Sequence, residues 1–223
     1  MSKLGQQMFR RAVIEMGGEV LPGFNDARCA DFLFRPKSLI VEMKILDEQA
    51  RNEHATRMEA LANTWIRRGL LAIGGREAMD VPKLPPECQQ DWADVLESSA
   101  ENLIRHGNRQ IRATKQRLGL PNAKGVFLIG NEGNLLHASP EDYLTLVLRI
   151  LARAKEAAQE PGFFHVQAAI YFSLDIPADP EVLPFWAAGQ VNREDREILA
   201  FLAQLRNGWF ASLSAARLHE TQG

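Results

Sequence analysis

Residues 28–46, RCADFLFRPKSLIVEMKIL, decide the fold of this chain. Two short apolar runs, 29–34 and 39–46, flank the turn signal RPKS, and this close spacing predicts an antiparallel β hairpin. Three ionisable side chains interrupt the apolar runs: Asp31, Glu42 and Lys44. Charged groups are costly to bury in a strand unless they are paired or used in chemistry. These three residues are therefore the first candidates for a functional site.

The spacing of the three residues predicts that they share one face of the hairpin. Side chains two residues apart on a strand project to the same side, as Glu42 and Lys44 do, and strand pairing would bring Asp31 to them. Two carboxylates beside a lysine suit phosphodiester hydrolysis by a divalent cation. In the alternative, Asp31 caps a turn and the other two form an ordinary salt pair. The apolar flanks favour a central strand and hence the first interpretation.

Composition bounds the class of protein. The 223 residues, 46% apolar and 24% charged, indicate one globular domain with a real core. The net charge of −2 argues against nonspecific coating of nucleic acid. Two cysteines are too few for a disulfide scaffold or a zinc site. No apolar run could span a bilayer, and Arg10 and Arg11 interrupt the amino-terminal segment. The sequence therefore predicts a cytoplasmic protein without a membrane segment.

Helices are predicted on both sides of the hairpin. An apolar stripe predicts a first helix that stops at Gly17 and Gly18. Two helical runs, 47–69 and 88–118, follow the hairpin, and Gly107 is expected to kink or divide the second. We interpret 47–108 as a helical insertion in a single domain, 1–223.

Strands and helices alternate in the remaining sequence. Strands are predicted at 125–129 and 164–175, with GNEGN (130–134) read as a turn. A helix is expected to begin at Ser139, which can cap it. The apolar tail 209–218 is either core or an interface. The order of elements predicts a mixed α/β domain.

A helix ending in Gly-Gly, then ADFLF, a short turn and LIVEMK resembles the core of the PD-(D/E)xK nuclease superfamily, the restriction-endonuclease-like fold. The resemblance implies a fold with a mixed sheet flanked by helices. It also implies an enzyme that cuts DNA or RNA, with DNA favoured, using Mg²⁺ or Mn²⁺. It implies that Asp31 and Glu42 bind the metal and that Lys44 is the catalytic lysine. Ala30 stands where many members have proline. Many nucleases of this fold dimerise, so a homodimer is compatible with it.

Further residues are candidates for supporting roles. The resemblance implies an additional acid on the first helix, for which Glu15 fits best. It also implies a glutamine or lysine from the helix after the E-x-K strand. Five residues within 105–117 are predicted to bind nucleic acid through a basic stripe and this helix position: Arg105, Arg109, Gln110, Arg112 and Lys115.

Two rival hypotheses interpret the same residues without a catalytic role. In the first, the chain is a noncatalytic member of this fold that binds nucleic acid or a protein. In the second, it is an α/β interaction protein with a salt-bridged hairpin. The second rival predicts that Asp31, Glu42 and Lys44 do not converge in space.

Overall fold

A six-stranded mixed sheet runs through the centre of the protein. The computed structural model describes residues 2–22, 29–71, 81–132, 139–156, 165–174 and 184–220. The strands are β1 (Glu19–Val20), β2 (Phe32–Phe34), β3 (Leu39–Leu46), β4 (Lys124–Asn131), β5 (Ala168–Ser173) and β6 (Trp186–Gln190). The helices are α1 (Ser2–Glu15), α2 (Glu48–Arg67), α3 (Pro86–Leu118), α4 (Pro140–Glu156) and α5 (Arg196–Glu220).

The strands lie in chain order across the sheet, from β1 to β6. Neighbours β1, β2 and β3 are antiparallel, whereas β3, β4 and β5 run parallel and β6 is again antiparallel. The predicted hairpin is therefore confirmed as β2 and β3. A short 3₁₀ turn, Arg35–Lys37, joins the two strands, and Ser38 follows it in the left-handed conformation.

Helices cover both faces of the sheet. On one face α1 and α5 contribute Phe9, Phe201 and Trp209 to an apolar cluster with Val41 and Met43 of β3. On the other face residues of α3 and α4 pack with the alternate residues of β3, such as Ile40 and Leu46. Alternation of side chains along β3 separates the two clusters. The expected mixed sheet flanked by helices is confirmed at this level.

Among the described residues, the range predicted as a helical insertion, 47–108, contains α2 and about the first two thirds of α3. The Asp47 side chain caps α2 by accepting a hydrogen bond from the Ala50 amide at 3.0 Å. The two helices share a small core of their own, formed by Met58, Trp65 and Cys88. A division of the helix at Gly107 is wrong, since α3 is one continuous helix of 33 residues. Tight packing against the sheet accounts for this glycine.

Other predictions have mixed outcomes. Ser139 does cap α4, because its Oγ accepts a hydrogen bond from the Asp142 amide at 3.1 Å. Strands β1 and β6 were not predicted, since their sequences carry turn signals or alternate weakly. Gly130 and Asn131 belong to β4, while 133–134 of the predicted GNEGN turn lie outside the described residues. The first part of the apolar tail is core, with Trp209 and Leu213 buried. None of the described helices is long and apolar enough to cross a bilayer.

Candidate active site

The hairpin register brings Asp31 beside Glu42. Phe32 pairs with Val41, and the Asp31 amide extends the ladder by donating to the Val41 carbonyl at 3.1 Å. The Asp31 carboxylate is held in turn by the Met43 amide, which donates to Oδ2 at 2.8 Å. Asp31 thus bonds across to β3 rather than capping a local turn.

Glu42 is the most deeply buried acid of the site. Its side chain is 0% exposed, and Lys44 Nζ lies 2.6 Å from its Oε1. Glu42 therefore interacts with Lys44 on one side and with the Asp31 carboxyl on the other, and both Glu42 oxygens are buried. The Lys44 side chain is 29% exposed and forms the solvent-facing edge of the site. The three side chains converge, contrary to the interaction-protein hypothesis.

Burial dominates the electrostatics of the acid pair. It raises the pKa of Asp31 to about 6, although the Met43 amide and the Lys44 charge oppose the shift. Burial, followed by the Asp31 charge, raises the pKa of Glu42 to about 8, again against the opposing Lys44 charge. The pair therefore holds a proton near neutral pH that a bound cation would displace.

The donor set fits a hard divalent cation. Two adjacent carboxylates, one with both oxygens buried, supply the oxygen ligands that Mg²⁺ prefers. Mg²⁺ keeps several waters, so two protein carboxylates are sufficient. A zinc site needs at least three protein ligands. Within the described part of the chain no group of three or more His, Cys, Asp or Glu side chains converges.

Helix α3 lies tightly over this part of the sheet. A Cβ at Gly107 would overlap the ring of Phe127, and Phe127 is the β4 partner of Glu42. Two buried polar residues of α3 face the segment that leads into Asp31. Gln110 Nε2 donates to the Cys29 carbonyl at 3.1 Å, and the Ala30 amide donates to Thr114 Oγ1 at 2.7 Å. Gln110 is therefore next to the site through the backbone rather than through the carboxylates.

His106 and Thr114 are site neighbours that the sequence reasoning missed. His106 is exposed on α3, and desolvation followed by the charges of Arg109 and Lys44 lowers its pKa. Arg109 Nη2 lies 3.0 Å and 3.2 Å from the two ring nitrogens of His106. The spacing of four between residues 106, 110 and 114 puts them on one side of α3, and this was the available signal.

The remaining candidates lie away from the acid pair. Glu15 is exposed on α1, whose buried residues pack on the opposite face of the sheet, and it pairs with Arg11 at 3.0 Å. Arg105 is exposed and pairs with Glu101 at 2.7 Å, an acid just outside the stretch that appeared uncompensated. Arg112 is exposed.

Lys115 is the lysine that the resemblance suggests on the helix after the E-x-K strand. It is buried, with only 5% exposure, and burial lowers its pKa. Burial, followed by the charges of Lys115 and Arg112, lowers the pKa of His165. Lys115 is therefore on the buried side of α3, whereas Arg109 and Arg112 are exposed.

Comparisons with protein-family models, with curated proteins and with solved structures found no match to this chain.

Proposed function

We propose that the protein is a metal-dependent nuclease of the restriction-endonuclease-like type, with DNA a more suitable substrate than RNA. One observation carries the proposal: two carboxylates, Asp31 and Glu42, are buried side by side, and Lys44 Nζ lies 2.6 Å from Glu42 Oε1. Such a pair destabilises the fold unless it serves a charged ligand.

The topology supports the same proposal. An antiparallel hairpin carrying D…ExK leads through helices into the parallel strand β4, with helices on both sheet faces. This order is compatible with the core that the motif resembles. The exposed Arg109 and Arg112 lie on α3, the helix that covers the acid pair, where they are available to phosphates.

Each residue has a distinct role. Asp31 and Glu42 would hold Mg²⁺ or Mn²⁺, and a cation there neutralises phosphate charge and lowers the pKa of the attacking water. The Met43 amide fixes the orientation of the Asp31 carboxylate. Lys44 neutralises part of the carboxylate charge, and its partly exposed ammonium can donate to water or to a phosphate oxygen.

The first experiment is calorimetric titration of Mn²⁺ into the wild type, Asp31→Ala and Glu42→Gln. The wild type is expected to bind, and each variant to lose at least about tenfold in affinity, because one of two charged ligands is removed. Glu59→Gln, which changes an exposed acid on α2, is the matched control and should bind like the wild type.

Cleavage assays on single- and double-stranded DNA and on RNA then test the reaction. We expect Mg²⁺-dependent products from the wild type and loss of about a hundredfold or more in Lys44→Ala. Undiminished cleavage by Glu42→Gln would exclude this site as the catalytic one. Cation-independent binding of nucleic acid without product would instead identify the noncatalytic alternative.

A further inference from the structure

The two residues before Asp31 are hydrogen-bonded to α3, which is distant in the sequence. Ala30 is fully buried and immediately precedes Asp31. Its amide donates to Thr114 Oγ1 on α3 at 2.7 Å, across 84 positions of sequence. The preceding Cys29 carbonyl accepts from Gln110 Nε2, one helical turn earlier on α3.

These contacts divide the backbone around Asp31 between two partners. The Asp31 amide and the Asp31 carbonyl belong to the sheet, bonded to Val41 and Leu21 respectively. The Ala30 amide and Cys29 carbonyl belong to α3. The single peptide group between Cys29 and Ala30 is thus bonded to α3 at both ends, whereas the next two peptide groups, on either side of Asp31, are bonded to the sheet.

We infer that Thr114 is a positioning residue for Asp31, and this rests on the proposed function of the acid pair. The Thr114 side chain is fully buried, so its hydroxyl cannot exchange the Ala30 amide for water. Without that hydroxyl the Ala30 amide is a buried donor with no acceptor, and the backbone must shift to find one. A shift at residue 30 rotates the Asp31 carboxylate relative to Glu42.

Thr114→Ser and Thr114→Ala provide a matched pair. Both lose the threonine methyl group, and they differ only by the hydroxyl that accepts from Ala30. Calorimetric titration should show Mn²⁺ affinity close to wild type for Thr114→Ser and about tenfold weaker for Thr114→Ala, the scale of one buried hydrogen bond. Equal affinities in the two variants would overturn the inference.

A second measurement reports the Asp31 position without a cation. The Met43 amide donates to Asp31 Oδ2 at 2.8 Å, so its proton chemical shift in EDTA follows the length of that bond. We expect the Met43 proton to move upfield in Thr114→Ala and to stay near its wild-type value in Thr114→Ser. Thermal unfolding of both variants identifies any general loss of fold.

The two readouts separate the inference from the proposed function. If the wild type binds no Mn²⁺, the cation site is excluded, and the Met43 signal alone decides whether Thr114 orients Asp31. Suppose that Thr114→Ala lowers the unfolding temperature and yet has the same Met43 chemical shift and the same Mn²⁺ affinity as Thr114→Ser. In that case Thr114 only stabilises the fold, and the inference fails.

Discussion

The two faces of the central sheet are built from the same strands but differ in chemistry. On the α1/α5 face the contacts are aromatic: the Phe9 ring centroid lies 4.9 Å from that of Phe172 and 5.4 Å from that of Trp209. On the α3/α4 face Glu42 is equally inaccessible to solvent but is ionisable. Adjacent residues of β3 therefore serve opposite purposes.

The difference teaches that stability and reactivity are separated across one strand. Apolar burial on the α1/α5 face favours folding at every pH. The buried acids on the other face oppose folding whenever they ionise without a cation. The aromatic face can thus stabilise the sheet while the opposite face contains buried acids whose ionisation is unfavourable. Changes to the two faces should have effects of different kinds.

The largest expected effect is on stability and comes from the aromatic face. Phe9→Ala removes a fully buried ring, and we expect the free energy of unfolding to fall by about 3–5 kcal/mol. Urea denaturation measures this loss. Ile14→Ala on the same helix is the control, because Ile14 is 54% exposed and should change stability by less than about 0.5 kcal/mol. If Phe9→Ala also weakened Mn²⁺ binding at a temperature where it is folded, the separation of the faces would be wrong.

Gly107→Ala tests the packing that connects α3 to the acid pair. The added methyl group overlaps Phe127, the β4 neighbour of Glu42, so we expect a loss of about 1–3 kcal/mol in stability. Unlike Phe9→Ala, it should also reduce Mn²⁺ affinity. Adding Phe127→Leu makes room for the methyl group and should recover part of both losses. No recovery in the double variant would show that helix geometry, rather than the Phe127 contact, requires glycine.

Glu42→Gln should change how stability depends on pH when EDTA removes cations. The folded protein holds the Glu42 proton up to about pH 8, whereas an unfolded chain releases it at the ordinary value of 4.5. Between these values the folded state binds more protons, so the wild-type free energy of unfolding falls as pH rises. Glu42→Gln cannot ionise and should show a shallower fall.

Urea denaturation at about pH 5 and about pH 8 measures that slope. Glu42→Gln should gain on the wild type as pH rises, and the exposed control Glu59→Gln should follow the wild type. Identical slopes for all three proteins would mean that Glu42 ionises in the folded protein as it does in the unfolded chain, so that burial does not raise its pKa.

The sequence was sufficient to predict the hairpin and the convergence of the acid pair. Period-two alternation along residues 39–46 fixes which side chains share a face, and that local rule was enough. Strands β1 and β6 were missed because a strand of two residues, or one containing Ala-Ala-Gly, has almost no periodic signal. Their pairing depends on neighbours distant in the chain.

The surroundings of the site were less predictable for a similar reason. Thr114 contacts Ala30 only because α3 returns across the sheet, and no local pattern encodes that crossing. Lys115 was a candidate because of its place on the helix after the E-x-K strand, yet the packing of α3 puts it in the interior. Spacing along a helix gives relative directions, whereas tertiary packing decides which direction meets solvent.

The smallest expected effect on the fold concerns the outer surface of α3. Arg109→Ala combined with Arg112→Ala should leave the free energy of unfolding within about 0.5 kcal/mol of wild type, because both side chains are exposed. Nucleic-acid affinity should fall for every sequence tested, and the slope of log affinity against log salt should decrease by about one to two units. Arg105→Ala should matter less, since Glu101 already pairs with it.

Arg206→Ala on α5 is the control for the opposite face. Fluorescence anisotropy across a salt series measures the three variants and the wild type. If Arg206→Ala reduced the slope as much as the α3 variant, nucleic acid would not distinguish the two faces of the sheet. The α3/α4 face would then not be the specific binding side.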